Sequence, residues 1–213
     1  NYFNARGLAE TSRFLFAIAG EPYDDHRYPL KVIDWSLFKF ERKEFEEDRD
    51  AGLLQTSLNK VPSLEANGLV ISQSKAIERY LARPFGMVGD SEVQSAQVDA
   101  ICEWVRDFKT EYQKTRALVG DDRDKGMAQW FDETLPERLA ALDYLVGKDG
   151  YSVGSRTTLA DVTLFTFLTQ FFDNVEAATR AMDGAPNIKA VVDRIAELDT
   201  VKRWISDRPQ TDF

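Results

Sequence analysis

The chain has 213 residues, 43% hydrophobic and 30% charged, and its 36 acidic residues outnumber 27 Lys and Arg for a formal net charge of -9. That balance argues against a nucleic-acid backbone or an anionic membrane surface as partner, because both recruit concentrated Lys and Arg. No apolar run approaches the roughly 18 residues of a membrane span, so a cytoplasmic protein of two modest domains is the expectation.

A single cysteine, Cys102, excludes an intrachain disulfide framework and leaves no thiolate cluster for a metal, so no metal site is expected. Cys102 falls within a helical pattern, which reads as a buried structural thiol. The one histidine, His26, follows Asp24 and Asp25 in what reads as a solvated turn.

The opening stretch NYFNARGLAE reads as a short apolar strand that hands over to a helix at Gly7, with the aromatic hydroxyl of Tyr2 at the handover. Leu8 to Gly20 is a largely buried helix with Gly20 as its stop, and Tyr23 to Tyr28 a short strand closed by Pro29. Val32 to Leu54 is dense in charge, and its apolar residues recur irregularly, so it reads as a helix-bearing excursion with a solvated face.

Val61 to Ile71 places two β-rich runs around Asn67-Gly68, a strong hairpin signal. Ser72 or Ser74 caps a following helix from Lys75 to Arg83. Pro84, Gly86 and Gly89 then break the chain, which predicts a mixed α/β domain over 1–83, a linker over 84–89 and an all-α domain over 90–213.

Beyond the break, Val93, Ala96, Ala100, Ile101, Trp104, Val105, Phe108 and Tyr112 lie on the stripe of a long amphipathic helix. Phe131, Leu135, Leu139, Leu142 and Val146 mark another, with a kink at Pro136. In TLADVTLFTFL, Thr158 and Asp161 stand three apart before an apolar run, which predicts a capping box with Asp in place of Glu. Ile188, Val191, Ile195 and Leu198 supply one more helix, and Val201 to Ser206 a short last one.

The blocks YFNARGLAE, DWSLFK, NKVPSL, ISQSKAIERYL, VDAICEWVRDF, TLADV and RPQTDF, taken in order, resemble the cytosolic glutathione transferases of the tyrosine type, most closely the sigma class. The resemblance implies a thioredoxin-like domain followed by a helical one, a homodimer, and glutathione as co-substrate with no other cofactor. Tyr2 aligns with the catalytic tyrosine, whose hydroxyl donates a hydrogen bond to the glutathione sulfur. Val61 and Pro62 match the cis-proline loop that holds the cysteinyl unit. Gln73 and Ser74 match the pair on the γ-glutamyl carboxylate, a role that free amides at a helix N-terminus also favour. Trp35, Lys39 and Lys60 match the residues at the glycyl end, with Arg42 or Lys43 able to stand in for Lys39. Asp107 aligns with the acid that reaches the partner subunit's glutathione.

Family position puts Ala5, Arg6, Lys109, Tyr112 and Phe213 around the pocket for a small electrophile. Leu8 and Arg106 depart from the pattern: the first replaces an arginine that supports the tyrosine, the second an acid of a divalent-ion site. Conjugation to electrophiles is the leading expectation. A binding protein with little turnover, or a glutathione-dependent isomerase or peroxidase, are the alternatives.

Overall fold

The structure is a computed structural model that describes residues 1–34 and 39–211; Trp35 and Phe213 lie outside the described residues. The chain forms two compact units, Asn1–Leu81 with Arg203–Phe213, and Ala82–Lys202. The division falls close to the expected break, but the C-terminal segment belongs with the first unit. The expected linker over 84–89 is not a free tether: Met87 is buried, takes the Ala82 carbonyl at 2.8 Å and receives the Leu159 N–H at 2.8 Å.

In the first unit, β1 (Tyr2–Phe3) leads through a 3-10 turn at Gly7–Ala9 into α1 (Glu10–Ala19). Gly20 closes α1 at φ 71°, and the Glu21 N–H reaches back to the Phe16 carbonyl at 3.2 Å, a Schellman ending. β2 (Arg27–Tyr28) returns parallel to β1, and β3 (Lys31–Asp34) pairs antiparallel with β4 (Lys39–Glu41) ahead of α2 (Lys43–Asp50). The expected single excursion over Val32 to Leu54 is therefore a strand pair followed by a helix. Its alternation is short and masked by charge: half-buried Val32 pairs with half-buried Phe40, while Lys31, Lys39 and Glu41 face outward.

β5 (Ser63–Ala66) and β6 (Leu69–Ser72) form the hairpin at Asn67-Gly68, both turn residues at positive φ (52° and 76°), and α3 (Ser74–Ala82) follows. Asn1 and Ser63 exchange both backbone hydrogen bonds, N–H to carbonyl at 2.8 and 3.1 Å, which seats β5 beside β1. The strands form three two-stranded sheets, and this one pair of hydrogen bonds links β1–β2 to β5–β6. Phe3, Tyr28, Phe45, Leu54 and Val61 pack into one cluster beside them.

The second unit is helical. Ser91 caps the long α4 (Glu92–Arg116) by accepting the Gln94 N–H at 3.2 Å. α5 (Gly120–Gln129) runs through a π-helical stretch, Trp130–Thr134, into α6 (Leu135–Asp143). In this wider turn the Leu135 N–H reaches the Trp130 carbonyl five residues back, and Pro136 follows in the first turn of α6, where a helix has no need of its N–H. α7 (Leu159–Gln170) is buried along most of its length and begins with the capping box of Thr158 and Asp161. α8 (Val175–Arg180), α9 (Pro186–Glu197) and α10 (Asp199–Asp207) complete the chain, and from Arg203 onward α10 counts with the first unit.

Tyr112 lies in the aromatic core of the second unit. It is 1% exposed, with ring centres of Trp130, Phe131, Phe171 and Phe172 between 4.9 and 6.1 Å away. An aromatic ring on the buried stripe of α4 gains more from edge-to-face packing than from solvent. Its ring belongs to the core of the second unit.

Candidate active site

Three neighbouring strands put the expected residues of the first unit in a row. The Asn1–Ser63 pairing brings Tyr2 opposite Pro62, and the Ser63–Ser72 register brings Pro62 opposite Gln73. Tyr2 and Pro62 line the same small cleft. The Val61–Pro62 peptide bond is cis, as the resemblance implies. Gln73 takes φ 71° and its carbonyl accepts the Ala76 and Ile77 N–H groups at 2.9 and 3.0 Å, so α3 starts with Ser74 and its first amides face away from intrahelical partners. An anion at that end would meet amide donors and the positive pole of the helix.

The environment of Tyr2 comes from the loop that follows it. The Leu8 N–H donates to the Tyr2 hydroxyl at 3.0 Å. Gly7, at φ 42°, lets the backbone turn this closely: a Cβ there would lie 2.5 Å from the Tyr2 hydroxyl oxygen. Burial pushes the Tyr2 hydroxyl above its ordinary pKa, while the Leu8 N–H and the charge of Arg13 pull it back down. The hydroxyl therefore stays protonated at neutral pH and keeps a proton to donate.

Arg13 was not singled out in the sequence, although a lone arginine within the apolar run of α1 was the available signal. It is 2% exposed, and its guanidinium lies 5.8 Å from the centre of the Tyr2 ring. One Nη donates to the Ala5 carbonyl at 2.6 Å and to Glu10 at 3.3 Å, and Nε pairs with Asp25 at 3.1 Å. Asp25 also holds Arg27 at 2.7 Å, so the turn read as merely solvated is a tie point for two arginines.

The remaining expected residues fall in both units. Ala5 is buried, and its carbonyl serves Arg13; Arg6 is half-buried, with its Nε enclosed. Lys60 is exposed just ahead of the cis bond, and Lys39 is exposed at the start of β4. In the second unit Asp107 is exposed and lies 3.9 Å from Arg106, which pairs more closely with Glu103 at 2.7 Å. The Lys109 ammonium rests over the rings of Phe167 and Phe171 at 5.7 and 5.1 Å. Trp35 and Phe213 fall outside the described residues.

Parallel and antiparallel strand pairs with a cis-proline loop and an adjoining helix N-terminus, followed by a helical unit, fit the glutathione transferase class of fold. Comparisons agree: residues 1–83 match the glutathione S-transferase N-terminal domain and residues 103–208 its C-terminal domain. The chain is 35% identical over 214 residues to hematopoietic prostaglandin D synthase of Gallus gallus, covering 99% of this chain and 96% of that protein. It is 31% identical over 218 residues to glutathione S-transferase 1 of Ascaris suum, covering 100% and 97%. Among solved structures, Na-GST-3 of Necator americanus, described as monomeric, superposes with a TM-score of 0.80 at 28% identity over 100% of this chain and 97% of that one. The chain belongs to the glutathione S-transferase family.

Proposed function

We propose that this protein is a transferase that adds the thiolate of glutathione to electrophilic small molecules, with Tyr2 as thiol activator. The observation that carries the reading is the Tyr2 hydroxyl, fixed by the Leu8 N–H at 3.0 Å and kept protonated by burial. A hydrogen bond from such a hydroxyl to a thiolate is worth about 1.5–3 kcal/mol. At about 1.36 kcal/mol per pKa unit it would bring a thiol from about 8.5 to roughly 7, with no general base required.

In this reading the cis Val61–Pro62 segment holds the cysteinyl backbone of glutathione, and Gln73, Ser74 and the first amides of α3 hold the γ-glutamyl carboxylate. Trp35, Lys39 and Lys60 take the glycyl end. Ala5, Arg6, Lys109 and Phe213 border the electrophile, and no cofactor besides glutathione takes part. Conjugation to chlorodinitrobenzene tests the assignment: Tyr2→Phe should lower kcat/KM about 30-fold, the equivalent of about 2 kcal/mol. Equal rates in the two proteins would remove Tyr2 from the mechanism.

The 35% identity to a prostaglandin D synthase favours a second use of the same thiolate, isomerisation of an endoperoxide. The two readings share Tyr2 and part at the substrate, so turnover of a prostaglandin endoperoxide against a panel of aryl halides separates them.

We further propose a cytoplasmic homodimer in which Asp107 meets the partner's glutathione. Supporting it, Asp107 borders an apolar groove between α4 and α6 lined by Trp104, Phe108, Leu142 and Leu145, with Trp104 49% exposed. An apolar groove of this kind is a common docking face. Sedimentation equilibrium should give twice the chain mass, and Asp107→Ala should weaken glutathione binding in the dimer. A monomer that binds glutathione equally well with either residue would sink this arrangement.

A further inference from the structure

Around Tyr2 the buried contacts form a line of alternating charge. Arg27 pairs with Asp25 at 2.7 Å, Asp25 with Arg13 at 3.1 Å, Arg13 with Glu10 at 3.3 Å, and Glu10 with Arg208 at 2.6 Å. Glu10 is 3% exposed and also accepts the Trp204 indole N–H at 3.0 Å. Three guanidiniums thus share two carboxylates. The central Arg13 sits against the Tyr2 ring, and Arg208 enters from the residue just past the end of α10.

A carboxylate flanked by two guanidiniums cannot neutralise both. Each keeps part of its field, and in a buried setting that field reaches a neighbour with little screening. We propose that Arg208 is a positioning residue for the thiol-activating site: by occupying Glu10 from the far side, it leaves Arg13 with charge to act on the Tyr2 hydroxyl. Without Arg208, Glu10 keeps only Arg13 and the Trp204 N–H among these contacts, and its charge offsets more of the Arg13 field at Tyr2. The side chain of Leu8 brings no charge to the hydroxyl, so its electrostatic support comes from this line, added to the Leu8 N–H.

Other charged groups stand on the elements packed around Tyr2. They are Arg6 in the loop, Asp24 ahead of β2 and Glu65 on β5. None of them is altered by a change at Arg208, so the test below reads the line itself.

The inference rests on the role given to Tyr2 under the proposed function, and the experiment separates the two. Wild type, Arg208→Gln, Arg208→Lys and Glu10→Gln are compared by carbon NMR titration of the Tyr2 Cζ, assigned with Tyr2→Phe, and by the pH profile of kcat/KM with chlorodinitrobenzene. Arg208→Gln should move the Tyr2 titration to higher pH and lower kcat/KM near neutrality about threefold, with recovery at high pH. Arg208→Lys keeps the charge and should track wild type. Glu10→Gln removes the neutralising carboxylate and should move the Tyr2 titration the opposite way.

Opposite signs at positions 10 and 208 are what loss of packing does not produce. An unmoved titration in Arg208→Gln, or shifts of the same sign in both variants, overturns the proposal. If Tyr2→Phe conjugates as fast as wild type, the functional reading fails, yet the NMR titration still decides whether Arg208 acts on Tyr2.

Discussion

Replacing Gly7 by alanine is expected to lower kcat/KM for glutathione conjugation about 100-fold while the protein stays folded. The added Cβ would stand 2.5 Å from the Tyr2 hydroxyl oxygen and 3.0 Å from its Cε1, so the ring or the loop must move. Either movement separates the hydroxyl from the Leu8 N–H that holds it at 3.0 Å. Misplacing a catalytic group by about 1 Å costs rate out of proportion to stability, whereas a non-glycine residue at φ 42° costs about 1 kcal/mol. Because the collision is chiefly with the hydroxyl, Gly7→Ala in a Tyr2→Phe background should cost much less than in wild type. Full additivity of the two losses would show that Gly7 acts elsewhere.

Local signals with a short range were legible in the chain. Asn67-Gly68 can take positive φ at both positions, so its hairpin and the β5–β6 register follow from a dipeptide. Gly20 ends α1, and Thr158 with Asp161 opens α7, for equally local reasons. What stayed hidden depends on partners far along the chain. Arg13 reads as an interruption of an apolar helix until Asp25, Glu10 and the Ala5 carbonyl are brought around it. α5 buries no side chain, so it carries no apolar stripe to be found. Tyr112 stands on the apolar stripe of α4, and the aromatic cage around it forms only when Phe171, Phe172 and Trp130 arrive from elsewhere in the chain. Within the site, the roles of Tyr2, Pro62 and Gln73 were implied by resemblance, but not their placement in a row. Its cause is the mutual pairing of Asn1 with Ser63, a contact across 62 residues that no local pattern announces.

Asp161→Ala is expected to destabilise the second unit by about 3–5 kcal/mol, because it breaks a buried ion pair from the buried side. Asp161 is fully enclosed. One oxygen accepts the Ser152 N–H and the Arg194 guanidinium, both at 2.9 Å; the other accepts the Thr158 N–H at 2.8 Å and the Thr158 hydroxyl at 2.5 Å. The carboxylate therefore caps α7 and ties α9 to the 150–158 loop at once. Alanine would leave two N–H groups and a hydroxyl without acceptors, each a desolvation cost of about 1–3 kcal/mol. Arg194 would fare better, since it also donates to the Gly150 carbonyl at 2.5 Å and to Thr157 at 2.9 Å, and it lies over the Tyr151 ring at 4.0 Å. The melting temperature should fall by about 10 °C or more, with Asp161→Asn milder because one oxygen still accepts. Combining Asp161→Asn with Arg194→Met should cost less than the sum of the two, since both charges then leave together. A melting temperature within about 2 °C of wild type for Asp161→Ala would mean that packing along α7, not this cap, holds the unit together.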